Sequence, residues 1–430
     1  MVAAHQRTKE QYMKIGIVGA GVIGLSIGYE LASAGYDTTV FDAGQAGEAA
    51  SGMNAGWVSP FLSTPRAAPG VVKDALQGFR DRNGPVKFRL KPELDFARWG
   101  SRFLWSSSKR RSTNTIRALQ AFAASAPAQL DVLQKEGVEF ESYRDGLGVV
   151  FLQEDNLTNY IAHEQHLTTL GYGGTSTVYR GSEAQDFDPA ITTSAAGVLH
   201  IESDRHVRPE SLVQGLASAM TAHGGQLFEH TPITRITQDT GGKWTLVTAD
   251  DEHQTFDQVV VAAGVASKKL LRPLGVRLPL EAAKGVSLTA TGVGIRPKHP
   301  LKLFERMVAS SPYEGDLLRL SGTFDLADRS EHVNRKRLDM VTRDAQQFFE
   351  SWRPDTIEKE RAGHRPTSGD DAPLIGPLKR HPGLYVATGH GTLGITLGPV
   401  TGLLAAREIA SANRQGLLDP FRPERFGKLW

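Results

Sequence analysis

The chain has 430 residues, a formal net charge of +2 and no cysteine. That length suffices for two domains with separate cores, and the near-neutral charge argues against a nucleic-acid partner. The missing thiols exclude disulfides, thiolate metal sites, a catalytic cysteine and any cofactor tethered through sulfur.

Residues 1–12, MVAAHQRTKEQY, lack the apolar centre of a signal peptide and read as a loose tail. From Lys14 to Asp42 the order is strand, glycine loop, helix, strand and acid. The run around Ile15, Ile17 and Val18 suits a buried parallel strand. Gly19 makes a tight turn, Gly21 lets the main chain approach a pyrophosphate, and Gly24 lets the helix pack on the sheet. Phosphates belong at the helix start formed by Val22 and Ile23, where free N–H groups and the positive end of the dipole meet them. Asp42 stands where a ribose hydroxyl is bound and repels a 2′-phosphate, so FAD or NAD is expected rather than NADP. A glycine-rich structural turn is the alternative.

The following loop, AGQAGEAASGMNAGWVSP, has no periodicity and can run back along an extended cofactor. From Phe79 to Leu133 the pattern is helical, with Phe96, Trp99, Phe103 and Trp105 read as one core-facing aromatic stripe. Lys109, Arg110 and Arg111 read as a solvated helix face. Short strands follow in VEFESY, GVVFLQ and GVLHI, then a helix from Arg208 to His223 with Pro209 in its first turn. QLFEHTPITRI, KWTLVTA and DQVVVAAG are strand-rich, and Lys284–Thr291 and Asp316–Phe324 suit a second sheet. A helix is expected over Leu338–Trp352, ended by Pro354. GLYVATGHG then passes from strand into glycine loop, with a helix through GLLAAREIA.

The fold class expected is α/β: a discontinuous Rossmann-like dinucleotide-binding domain (1–66, 196–276, 362–430) and an α+β substrate domain on an antiparallel sheet (67–195, 277–361). No apolar run is long enough to span a membrane. No HExxH, zinc spacing or nucleophile elbow occurs, so no metal site is expected.

In order along the chain, GAGVIG with Asp42, ASGMNAGWVSP, AAPGVVKDAL, EHTPITRI, VVVAAGVAS, LPLEAAKGVSL, HRPTSGDDAPLIG and GHGTLGITLGP resemble the D-amino-acid oxidase superfamily of FAD enzymes. Within it the chain is similar to FAD-dependent D-amino-acid dehydrogenases, with glycine oxidase and D-hydroxyproline dehydrogenase as near relatives. The resemblance implies FAD as cofactor. Asp42 and Ala43 are expected on its ribose side, and Ser51 and Gly52 toward the pyrophosphate. Asn54, Ala55 and Gly56 are implied beside the isoalloxazine, Ile233 at the adenine edge, and Ala263 and Gly264 at a strand end beside the cofactor. The loop Gly389, His390, Gly391, Thr392, Leu393 and Gly394 is implied at the pyrimidine end, where helix-start N–H groups stabilise negative charge.

Arg365, in HRP, is the expected catalytic-site residue, clamping the substrate carboxylate in a bidentate pair. A domain-boundary salt bridge to Asp370 or Asp371 is its alternative role. Arg144, Lys284 and Arg319 suit structural pairing equally well, and His206 and His390 either border the ring or are structural. Glycine oxidase carries a second arginine where this chain has Thr392, and its active-site tyrosine has no counterpart over Met307–Ser311, with Tyr313 out of register.

The activity implied is oxidation of the Cα–N bond of a D-amino acid or D-hydroxyproline-like amine. A quinone or respiratory-chain acceptor, and a cytoplasmic location with or without peripheral attachment to the inner membrane, are also implied. Three alternatives stay open: an O2-using glycine or sarcosine oxidase, an NAD dehydrogenase, and a non-catalytic flavin-binding subunit.

Overall fold

The computed structural model describes residues 13–70, 84–89 and 91–427. The N-terminal tail, the end of the AAPGVVKDAL motif and the expected helix start at Phe79 lie outside these residues.

Two sheets organise the described chain. The first has six strands in the order Gln226–Phe228, Asp37–Phe41, Lys14–Val18, Gln258–Val261, Leu384–Thr388, Leu374–Pro377. All pair in parallel except the last, an antiparallel edge. Alternation along Lys14–Val18 decides its two faces. Ile15 and Ile17 join a core made with the helices Val22–Ser33, Pro209–Ala222 and Gly394–Ser411. Val18 joins Trp244, Leu246 and Phe256 of a small antiparallel sheet on the opposite side. Gly16 points the same way as Val18, and a Cβ there would lie 2.8 Å from the Phe256 ring. The helices Val22–Ser33 and Gly394–Ser411 meet closely, since a Cβ on Gly402 would lie 2.5 Å from Ser26 Cβ.

The second sheet has nine strands, with Thr356–Ser368, Leu280–Thr291, Leu317–Leu326, Val308–Tyr313, Leu301–Leu303, Leu147–Phe151, Gly197–Ile201 and Ser176–Arg180 in that order, and Val86–Phe88 beside Leu317–Leu326. Only the Leu301–Leu303/Leu147–Phe151 and Val86–Phe88/Leu317–Leu326 pairs are parallel. One face is apolar: Val286, Leu288, Leu318 and Leu320 pack against Leu338 and Val341 of the helix Arg335–Ala345. The other face carries polar residues, and it positions the site.

Several local expectations are corrected. The strand Gly197–Ile201, placed by the sequence inside the second nucleotide-binding segment, pairs in the nine-stranded sheet. Thr356–Ser368 runs unbroken across the expected boundary at 361/362, because it pairs with Leu280–Thr291 along its whole length. The long helical stretch is three helices, Leu94–Ser106, Lys109–Ala123 and Ala126–Lys135. In the first, Phe96, Trp99 and Phe103 face the core. Trp105 is 58% exposed, because six residues past Trp99 it is rotated by about 240° around the helix. The expected helix over Leu338–Trp352 lies at Arg335–Ala345, capped by the Asn334 side chain accepting from the Arg337 N–H.

Candidate active site

Three glycines of the first loop do different work. Gly19 has φ of +112°, and a Cβ on it would lie 2.5 Å from the Ala262 carbonyl oxygen. A Cβ on Gly24 would lie 1.8 Å from the Gly19 carbonyl oxygen. Both are required by packing. Gly21 is open, its nearest neighbour being Ser51 Oγ at 3.2 Å from that imagined Cβ. Ser51 Oγ accepts from the Val22 N–H at 3.0 Å, tying the second loop to the helix start. Asp42 accepts from the Ala20 N–H (2.6 Å) and the Gly44 N–H (2.9 Å), one on each oxygen. Burial raises its pKa, and amides at Gly44, Ala20 and Ala43 oppose that rise. Each oxygen keeps acceptor capacity for a hydroxyl.

Other contacts bring the remaining expected residues to the same place. The Thr231 N–H donates to the Asp42 carbonyl (2.7 Å) just before Ile233 starts its strand. Thr388 Oγ1 donates to the Gly264 carbonyl (2.9 Å), beside Ala263. Asn54 Nδ2 donates to the Thr392 carbonyl (3.4 Å), joining the Ser51–Gly56 and Gly389–Gly394 loops. Gly264, Gly389 and Gly391 have φ of +53°, +78° and +55°, conformations that glycine adopts at no steric cost. Leu393 holds the N-cap position of the helix that starts at Gly394, with no side-chain capping bond.

The polar face of the nine-stranded sheet grips the second loop, one strand after another. Arg361 donates to the Gly52 carbonyl, Ser321 to Met53 (3.3 Å), Arg319 to Asn54 (3.1 Å), and Ser311 and Tyr313 to Ala55 (2.7 and 2.8 Å). Successive residues of a strand face opposite ways, so Arg319 and Ser321 point to this loop while Leu318 and Leu320 point to the core. Glu210 balances both Arg319 and Arg361. Burial pushes its carboxyl up, but the two guanidinium groups hold it down at about 2. Tyr313, out of register in sequence, thus reaches the loop. Gly56 closes the loop with φ of +81°, leaving no room for a Cβ beside the Val207 carbonyl.

Arg365 lies on the same strand face as Arg361. A β-bulge shapes its surroundings: Lys284 pairs with Asp325 and Val286 with Gly322, so Gly285 alone opposes Thr323 and Phe324. Thr323 has φ of +64°, a costly conformation for a β-branched residue. Its carbonyl accepts from Arg365 Nη1 at 2.9 Å. The guanidinium occupies the space that a Gly285 side chain would take, 2.2 Å from an imagined Cβ. Among the described residues Arg365 has no carboxylate partner. Asp370 pairs with Arg425 (2.7 Å) and Asp371 lies beside Arg66 (3.4 Å), so the salt-bridge alternative is not what the structure holds. Burial, then the charge of Arg66, lowers the Arg365 pKa to about 10, and the group stays cationic at neutral pH.

The other basic candidates are paired. Arg144 binds Asp131 (2.6 Å), and Lys284 Nζ donates to Ser330 Oγ (2.8 Å) and the His332 carbonyl (2.5 Å). His206 stacks on Tyr143 with centroids 4.2 Å apart and bonds the Pro312 carbonyl. His390 bonds Thr401 Oγ1, and burial lowers its pKa to about 3. Sequence reasoning missed Arg66, whose Nη2 donates to Thr392 Oγ1 at 2.9 Å. Its only sequence signal was a lone cation ending the loop after SGMNAG.

Residues 14–408 match the family described as FAD dependent oxidoreductase. The chain belongs to that family. D-amino acid dehydrogenase of Paramagnetospirillum magneticum is 29% identical, covering 97% of this chain and all of the relative. That of Rhodopseudomonas palustris is 30% identical over 90% of this chain and 91% of the relative. Among solved structures, glycine oxidase from Geobacillus kaustophilus superposes with a TM-score of 0.75 at 22% identity, covering 96% of this chain and 99% of that one. As in its family, the cofactor is FAD. The open Gly21, the amide-bound Asp42 and the joined glycine loops fit a long dinucleotide approached by main chain. No described helix is long and apolar enough to cross a membrane, and no described cluster of acidic or histidine side chains could hold a metal ion.

Proposed function

We propose that the protein oxidises the Cα–N bond of a D-amino acid, or of a D-hydroxyproline-like secondary amine, to an imine that hydrolyses to a keto acid or stays cyclic. The observation that carries this reading is Arg365: a half-buried cation held on the carbonyl of the strained Thr323, with no carboxylate bonded to it among the described residues. It takes the substrate carboxylate in a fork, which fixes Cα. FAD, when bound, would supply the two-electron acceptor for the hydride lost from Cα. The chain's own residues do the positioning. Gly19, Gly21, Val22, Ile23, Gly24, Asp42, Ala43, Ser51 and Gly52 would hold the nucleotide and pyrophosphate, with Ile233 at the adenine edge and Ala263 and Gly264 at a strand end beside the cofactor. Asn54, Ala55, Gly56 and the loop Gly389–Gly394 border the ring. No general base is assigned, because positioning and a polarised acceptor suffice once the amine is neutral.

We assign reoxidation to a quinone or respiratory carrier, on the strength of relatives named D-amino acid dehydrogenases. Contact with a membrane surface is supported by the helix Leu94–Ser106, where Leu94 and Trp105 are 77% and 58% exposed. Arg111 lies over the Trp105 ring at 3.5 Å, a pairing suited to an anionic interface. The test is anaerobic bleaching of the bound flavin by a panel of D-amino acids, glycine, sarcosine and hydroxyproline isomers. Reduction by D-amino acids supports the reading. Reduction by glycine and sarcosine alone, with rapid reoxidation by O2, replaces it with an oxidase.

A further inference from the structure

We infer that Arg66 and Arg365 form a site for two carboxylates, and that D-amino acids with a second carboxylate on the side chain are the preferred substrates. This rests on the Arg365 clamp proposed above. The two guanidinium groups flank one bulge. Arg365 bonds the carbonyl of Thr323, and the Arg66 guanidinium lies 4.3 Å over the ring of the next residue, Phe324. They are close enough that Arg66, after burial, is the main cause depressing the Arg365 pKa. Two like charges held together call for anions between them.

The neighbouring acids supply those anions only in part: Asp371 pairs with Arg66, and none bonds Arg365 among the described residues. Asp325 is engaged by Arg337 through two nitrogens. Asp371 is anchored by the main-chain N–H of Arg66 at 2.6 Å, while the Arg66 guanidinium stands 3.4 Å from each of its oxygens. That is longer than the roughly 2.7–2.9 Å of a charge-assisted bond. Arg66 Nη2 spends one donor on a neutral hydroxyl, Thr392 Oγ1. The Arg66 side chain is 32% exposed, open to a ligand. On the same bulge, Thr323 Oγ1 is buried with no hydrogen-bond partner. One α-carboxylate engages Arg365, and the exposed part of the Arg66 guanidinium is left for a side-chain carboxylate.

The holoenzyme is tested by anaerobic flavin reduction with D-aspartate and D-glutamate against D-norvaline. The acidic substrates are expected to have the higher kcat/KM. Arg66→Met is expected to lower the acidic-to-neutral ratio by about 10- to 100-fold, the range for losing a hydrogen bond to a charged group, and Arg66→Lys to restore part of it. A ratio unchanged in Arg66→Met, or a wild-type preference for D-norvaline, overturns the inference. Failure of the parent reading is visible separately, as no bleaching by any D-amino acid. In that event the flavin spectrum is titrated with glutarate and butyrate. Tighter glutarate binding that is lost in Arg66→Met keeps the two-carboxylate site, and equal binding removes it.

Discussion

At the scale of single residues, the site depends on a guanidinium and the space left for it. Arg365→Ala is expected to raise the Michaelis constant of any active D-amino acid and to lower kcat/KM by about 100-fold, since both the charge and the orientation of Cα are lost. Arg365→Lys should recover only part, because one ammonium cannot reproduce the fork. Gly285→Ala is a finer probe. Its Cβ would collide with the flexible end of Arg365 rather than with main chain. Turnover should therefore fall while thermal stability and flavin content stay near wild type, as steady-state kinetics and melting would show. Arg365 was legible in sequence through HRP; Gly285 and Thr323 were not. A bulge is a two-against-one mismatch between strands, and neither strand records its partner's register.

At the scale of elements, buried polar groups join the parts. The loop before the helix Gly394–Ser411 carries His390, whose pKa lies at about 3 against an ordinary 6.5. As pH falls through that window the unfolded chain takes up a proton that the folded chain refuses, so stability is present above pH 6.5 and lost below it. The slope attributable to His390 is about 1 kcal/mol per pH unit. His390→Gln, which can keep a bond to Thr401, should flatten it in melts compared between pH 7.5 and pH 5. A second joint is the pair Arg337–Asp325, buried and reinforced by Arg337 bonds to the Gly84 and Pro85 carbonyls. Arg337→Met leaves Asp325 uncompensated, at an expected cost of about 3–5 kcal/mol by chemical denaturation. The elements themselves were largely readable where apolar periodicity was strong, as in Lys14–Val18 and the C-terminal helix. The helix Glu154–Thr169 escaped notice because few of its residues are buried, which leaves it only a faint apolar stripe.

At the scale of the whole molecule, the proposed cofactor cradle is collected from loops far apart in sequence that contact one another: Gly19–Gly24, Ser51–Gly56, Ala263–Gly264 and Gly389–Gly394. FAD therefore binds the folded chain and not the unfolded one. Removing it should lower the melting temperature, and refilling should restore about 2.7 kcal/mol at a free concentration of 100 Kd. Asp42→Ala should weaken retention and also release the Ala20 and Gly44 amides; unchanged flavin content after gel filtration would remove Asp42 from the site.

The amino-acid sequence by itself determined the nucleotide-binding unit and its FAD cofactor, and it singled out the arginine proposed as the clamp. Those features are written in local spacing, glycines at a turn, an acid at a strand end and an arginine before proline, and local spacing survives in one dimension. Only the tertiary structure decided which carboxylates leave Arg365 free, that Tyr313 and Arg319 hold the second loop, and that Arg66 arrives beside Thr392. Each is a contact between strands or loops whose register is set by packing one face of a sheet, and no stretch of sequence carries that register alone.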